Sequence, residues 1–461
     1  MIGRMNDLLI RIEARLNARG PLKAADLARE LGVSQPTISR ALTTLGPRLR
    51  RIGRARATRY ALVRNLGRDG HAWPLYRINA EGRPDTLGRL SALSGSAMLF
   101  EPEGARPALT QSDFRDGFYP DVPWFLDDQR PQGFLGRAFA RSVAALIGAN
   151  DDPTLWTADD RLIALLYYGH DGPGDLVLGD RALDRALSER QAPVAVLHTD
   201  RRQGAYPQYA LDALRGEPAG SSAGGKQPKF TAILETENGH DAVIVKFSDA
   251  GSHPAALRWR DLLICEHLAL ELLGEHGIEA SRSELLFVEG RAFLQSQRFD
   301  RTPALGRRGF ITLAPCDAAF FGHGRRAWSA LADGLHRLGW LDASATRDLQ
   351  LRDLFGSLIA NTDRHLGNAG MILTDTPPFA LAPVYDMLPM HYRPNAQGEV
   401  IDREFAPVSW RPATATLWPR AATLAMSYWN RVATDVRISA GFQAIARGNA
   451  DRIRRLLDAA R

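Results

Sequence analysis

Asn361-Thr362-Asp363-Arg364-His365-Leu366-Gly367-Asn368 follows the stretch Leu349 to Ile359, whose apolar spacing reads as a helix. Asp363 and Asn368 stand five positions apart. That is the spacing of phosphoryl-transfer catalytic loops, in which the carboxylate accepts a hydroxyl proton and the amide binds magnesium. Taken alone the octapeptide also fits an exposed Asn/Asp-rich turn, so its weight depends on its surroundings. Asp386, in Ala382-Pro383-Val384-Tyr385-Asp386-Met387, comes 18 residues after Asn368 beyond a hairpin-like segment, and is the candidate second metal ligand. One carboxylate and one amide suit Mg²⁺, which keeps waters and nucleotide phosphates for its other positions.

The same chemistry asks for a lysine on a strand, a glutamate on the next helix, a loop over the phosphates and a hinge. Lys246 ends the apolar run Ala242-Val243-Ile244-Val245, where an ammonium can meet phosphate oxygens; a solvent-facing lysine is the plainer alternative. Glu266 sits among Leu262, Leu263, Leu270 and Leu273 in a long helix expected over 255–274, placed to pair with Lys246. Gly220 to Lys229 (G-S-S-A-G-G-K-Q-P-K) formally contains the pattern of a P-loop. Gln227 stands where that motif needs Ser or Thr, and the next element is a hairpin around Asn238-Gly239 rather than a helix. A glycine loop entering a hairpin is the layout of a kinase N-lobe, so Ser222, Ala223, Gly224, Gly225, Lys226, Gln227 and Lys229 are candidate phosphate contacts. The strand expected over 293–299 carries the candidate hinge, Ser296, Gln297 and Arg298.

Five of these stretches together resemble the HipA family of bacterial toxin kinases: Ser222 to Lys229, Val245 to Phe247, Gln297 to Arg301 (Q-R-F-D-R), Asn361 to Asn368 and Pro383 to Pro389 (P-V-Y-D-M-L-P). The likeness runs over about residues 70–450. It implies an α+β, two-lobed, phosphatidylinositol-kinase-like fold that uses ATP and Mg²⁺, with Asp363 as base and Asn368 and Asp386 as metal ligands. By the same resemblance Lys246 contacts nucleotide, and Ser222, with Ser221 as neighbour, is the site of self-phosphorylation. The expected substrate is a serine or threonine of another protein, such as an aminoacyl-tRNA synthetase or other translation component. Lys226 departs from the family, which usually has a small residue there.

A second departure lies at the N-terminus. Residues 1–64 hold 14 Lys/Arg and 4 Asp/Glu, so a strongly basic module precedes a near-neutral body in a chain of net charge +6. Helices are expected over 6–18, 24–31 and from Pro36, with Gly32 as a helix stop and Ser34 as N-cap. Gln35, Thr37, Ser39 and Arg40 then face a major groove, while Arg48, Arg50, Arg51, Arg54, Arg56 and Arg59 line a hairpin wing. Arg51, Arg54 and Arg56 join the helix residues as candidate DNA contacts, since phosphate neutralisation dominates sequence-independent affinity. A helical hairpin used for protein contact is the alternative. The whole reads as a winged helix-turn-helix, so the chain resembles a YjjJ-like subgroup with its own DNA-binding domain.

The expected division is 1–65 (winged helix-turn-helix), 66–220 (a HipA N-terminal subdomain without catalytic residues, entered by a linker at 66–70), 221–300 (N-lobe and hinge) and 301–461 (helical C-lobe). Trp124, Asp127, Asp128 and Trp156 in the second block are read as structural. No apolar run reaches the roughly 18 residues of a membrane span, and Met1 to Arg19 lacks the unbroken core of a signal peptide. Two cysteines, Cys265 and Cys316, without metal spacing point to a cytoplasmic protein with reduced thiols. A homodimer and a separate antitoxin partner stay open. The competing functions are a DNA-binding regulator whose kinase fold binds nucleotide without transfer, and a nuclease using the same carboxylates.

Overall fold

The computed structural model describes all residues except 1, 105–106, 111–113, 115, 194–195, 216–226, 325–326 and 460–461. At the N-terminus, helices Ile2–Arg19, Ala24–Leu31 and Gln35–Thr44 enclose a small core of Ile12, Leu16, Leu27, Ile38 and Leu42. Gly32 ends the second helix at φ 67°, a conformation that costs a side-chain-bearing residue about 1–2 kcal/mol. Ser34 caps the third by accepting from the Thr37 N–H, and Pro36 occupies its first turn. Strands Leu49–Ile52 and Arg59–Leu62 pair antiparallel as the wing.

The wing is docked. Ile52 and Ala61 pack with Leu93, Ala97 and Leu99, and Val63 bridges to Leu93. Residues 66–70 are therefore no loose linker: Leu66 is buried, and its N–H bonds the Gly70 carbonyl. Beyond them lies a five-stranded antiparallel sheet in the order Phe118–Tyr119, Met98–Pro102, Pro84–Ala92, Ala72–Ile78, Leu176–Leu178. Helices Gly133–Ile147, Ala158–Tyr168 and Asp180–Gln191 accompany it.

A second five-stranded sheet runs Ser283–Val288, Arg291–Gln297, Gly239–Phe247, Lys229–Thr236, Val196–His198, the last strand parallel to its neighbour. Its membership extends upstream of residue 221, because Val196–His198 supplies an edge strand and helix Arg202–Arg215 covers one face. Tyr206 and Ala210 of that helix pack on Phe230, Val243, Val245, Phe247 and Phe293, each large side chain worth about 1.5–3 kcal/mol when buried. The hairpin turn falls on Glu237-Asn238, one residue earlier than expected. Gly239 opens the return strand at φ 115°, and a Cβ there would lie 2.7 Å from the Pro303 carbonyl oxygen.

Helix Pro254–Glu275 is buried on nearly every side, as an element between two layers must be. One layer is the sheet just described; the other is the C-terminal lobe, built from Trp328–Arg337, Ala343–Leu358, Trp418–Thr434 and Ala440–Ala459 with the small sheet Gly309–Thr312, Gly370–Leu373, Ala380–Leu381. That lobe shares one core with the middle domain. Trp124 stacks on Trp340 with ring centroids 5.7 Å apart, and Asp128 accepts from the N–H and Oγ1 of Thr312 at 2.6 and 2.7 Å. Cys265 and Cys316 are free and buried, and no described helix is long and apolar enough to cross a membrane.

Candidate functional site

The two lobes meet at Lys246. Strand pairing sets Lys246 opposite Leu294 on one side and Lys229 on the other, so both lysines share a sheet face. The Lys246 ammonium donates to both oxygens of Glu266, at 2.6 and 2.7 Å, and also to Asp386 of the other lobe. Glu266 in turn accepts from the Asp386 N–H at 3.2 Å. Burial works against the charged ammonium, but Asp386 and Glu266 outweigh it and hold Lys246 protonated. Burial likewise opposes an ionised Asp386, yet Lys246 and Lys229 hold its carboxyl down at about 2. Glu266 and Lys229 go the other way, burial pushing the first carboxyl up and the second ammonium down.

The loop 361–368 is fastened from three directions. Asn361, fully buried, donates its amide to the Asp386 carbonyl at 3.2 Å and accepts the Asp363 N–H at 3.0 Å. The Arg364 guanidinium reaches back to Asp353 at 3.1 Å and to the Asn361 carbonyl, clamping the loop to helix Ala343–Leu358. Trp328 donates to the His365 carbonyl at 3.0 Å. Ala360 and Asp386 adopt φ of 61° and 51°, strained for residues with a Cβ and held by this network. Within the loop, the Asn368 Nδ2 donates to the Asp363 carbonyl at 2.9 Å, which leaves Oδ1 for a cation. The half-buried Asp363 side chain accepts no hydrogen bond from the described residues, and its charge is felt at Lys229.

Asn368 thus offers an amide oxygen, and Asp386 a carboxylate beside Lys246 and Lys229. No group of three or more His, Cys, Asp or Glu side chains able to hold a metal occurs among the described residues. The pair fits magnesium as a partner of phosphate oxygens, not a closed protein cage.

Several expected contacts fall elsewhere. Ser222, Ala223, Gly224, Gly225 and Lys226 lie outside the described residues, as does Ser221. Gln227 turns its Nε2 to the Phe247 carbonyl at 2.6 Å, bracing the loop's exit. At the hinge, the N–H groups of Gln297 and Arg298 are already bonded to the carbonyls of Arg282 and Ala242, so they are not free donors. The Arg298 side chain joins Asp300, exposed Asp171 and Arg301 in a partly buried ionic cluster. The next amide, Phe299, bonds to none of the described residues. Strand pairing decides which amide is left over, and no local pattern in the sequence shows it.

Near the N-terminus, Gln35, Ser39 and Arg40 are exposed, while the Thr37 hydroxyl is tied to Ser34 at 2.9 Å. Of the six wing arginines, Arg48 pairs with Glu13, Arg50 with Glu101 and Arg59 with Asp116. Arg51, Arg54 and Arg56 are exposed with no ion pair among the described residues.

Two family models match the chain: YjjJ-like toxin, middle domain, over residues 69–187, and HipA-like C-terminal domain over residues 221–455. Toxin YjjJ of Escherichia coli (strain K12) is 36% identical over 441 residues, which span 95% of this chain and 96% of that one. The chain belongs to the HipA family of toxins. Its fold agrees with this membership. The structure of the Shewanella oneidensis MR-1 toxin–antitoxin complex of HipA, HipB and operator DNA superposes with a TM-score of 0.51 at 16% identity, covering 83% of this chain and 97% of its own. The segment matched by the HipA-like C-terminal domain contains every residue of the Lys246 network.

Proposed function

We propose that this HipA-family toxin is an ATP- and Mg²⁺-dependent protein serine/threonine kinase carrying its own DNA-binding domain. The observation that supports it most is the Lys246 ammonium shared between Glu266 and Asp386, which joins the lobes beside the 361–368 loop. In this reading Glu266 orients Lys246 toward nucleotide phosphates, Lys229 adds a second cation, and the Phe299 N–H faces the base. Asn368 and Asp386 would hold magnesium, which supplies charge neutralisation for the β- and γ-phosphate oxygens. Asp363 accepts the proton of the substrate hydroxyl as its oxygen bonds the γ-phosphorus; the bond to the β–γ bridging oxygen breaks and ADP leaves. A phosphate placed on Ser222, in a loop that itself covers phosphates, would compete with ATP.

DNA contact is assigned to Gln35, Ser39, Arg40, Arg51, Arg54 and Arg56. The Shewanella HipA structure contains HipB and operator DNA; here a basic winged module lies within the same chain. Purified protein given Mg²⁺ and γ-labelled ATP is expected to label itself or a cellular protein. Asp363→Ala should abolish the label while the thermal melt and DNA binding stay as in wild type. Labelling that persists in this variant would remove Asp363 from the role of base.

A further inference from the structure

Beside the catalytic loop opens a pocket of about 410 Å³ whose lining includes Thr362, His391, Arg393, Asn395 and Arg403. Thr362 directly precedes Asp363, and the His391 N–H donates to the Ala360 carbonyl at 3.0 Å, so wall and loop form one unit. Arg403 uses Nη1 on the carbonyls of His391 and Arg393, at 2.8 and 2.9 Å, and Arg393 uses Nη1 on the Met390 carbonyl at 3.3 Å. These bonds aim both guanidinium groups and leave their other nitrogens without a carboxylate partner among the described residues. Three other arginines of this lobe, by contrast, are matched by carboxylates: Arg352 pairs with Asp348, Arg364 with Asp353 and Arg452 with Glu404. Among the described residues, no carboxylate lines the pocket.

We infer that this pocket receives an anionic side chain, acidic or phosphorylated, of the polypeptide substrate, and thereby selects which serine or threonine meets Asp363. The inference rests on the kinase reading above and adds its substrate class. A concave site with two oriented guanidiniums suits one carboxylate or phosphate group, which each can engage by charge-assisted bonds. Glu399, Asp402 and Glu404 are exposed on the adjoining segment and would repel a continuous phosphate backbone. Exposed Val408 and Trp410 on the same segment offer apolar surface to flanking residues of a polypeptide.

The test uses full-length protein, Mg²⁺, ATP and serine or threonine peptides in which each flanking position is varied among Asp, Glu, phosphoserine, Asn and Lys. An anionic residue at one offset is expected to raise kcat/KM about tenfold or more over its neutral isostere, as charge-assisted bonds imply. That ratio should fall toward one in Arg393→Gln and in Arg403→Gln, and survive in Arg403→Lys. Arg393→Gln guards against a folding artefact, since its one bond goes to a carbonyl three residues away; urea melts accompany each variant. Transfer with no anionic preference, or a preference untouched by both Gln variants, overturns the pocket assignment alone. So does transfer that ignores peptide charge but is stimulated by added RNA. Absence of both peptide transfer and self-labelling in wild type removes the kinase reading and the pocket with it.

Discussion

The interlobe cleft and the wing both concentrate cationic side chains, yet they treat them in opposite ways. In the cleft Lys246 is buried and satisfied by two carboxylates, so its charge serves geometry. On the wing Arg51, Arg54 and Arg56 stand in water without acidic partners among the described residues, so their charge is available at a distance and to a polyanion. Burial makes each cleft charge depend on its neighbours, because an isolated charge in a poorly solvated place costs several kcal/mol. Exposure makes the wing charges nearly independent and sensitive to salt. The wing's other arginines show the boundary between the two regimes: Arg50 and Arg59 reach Glu101 and Asp116 and tie the module to the middle domain.

Breaking the cleft should have the largest effect. Lys246→Met removes the cation that buried Glu266 and half-buried Asp386 share, leaving only Lys229 nearby, and is expected to lower stability by up to about 3–5 kcal/mol and phosphotransfer by at least about 100-fold. Urea denaturation and single-turnover labelling would measure both; a melt within about 1 kcal/mol of wild type would contradict the mutual dependence of these charges.

Asp128 sharpens the comparison, being a half-buried carboxylate whose hydrogen-bond donors among the described residues are the neutral groups of Thr312. Burial raises its carboxyl from 3.8 to about 6, and the Thr312 hydrogen bonds only partly offset this. The folded protein therefore holds this proton more tightly than the unfolded chain. Its contribution to stability is fullest below about pH 4 and is lost as pH rises to about 6, by about 3 kcal/mol at most. Asp128→Asn should flatten urea stability across that window; an unchanged slope would show that Asp128 is not its source.

On the wing, Arg51→Gln with Arg54→Gln should weaken binding to all DNA sequences and reduce the slope of log K against log salt by about two. Fluorescence anisotropy at several salt concentrations reads this directly, and an unchanged slope would take both residues off the interface. The smallest effect is expected for Ser34→Ala, which removes a neutral exposed cap and should cost about 1 kcal/mol in thermal or urea melts. A much larger loss would mean that the N-terminal module depends on this cap as the cleft depends on its charges.

Local spacing carried what the sequence by itself determined: the helix stop at Gly32, the cap at Ser34, the alternation around Lys246 and the five-residue interval from Asp363 to Asn368. Such signals survive in a linear reading because they are made within one helical turn, one strand or one loop. Only the tertiary structure decided that Val196–His198 joins the sheet that carries Lys246 and that Arg202–Arg215 covers it, that Gln297 and Arg298 have spent their amides, and that Asp353 anchors Arg364. It also decided which wing arginines are neutralised, since Asp116 lies 57 residues from Arg59. The reason is physical. A hydrogen bond or ion pair is settled by which groups arrive at the same place, and groups far apart in the chain are brought together by packing that no local pattern records.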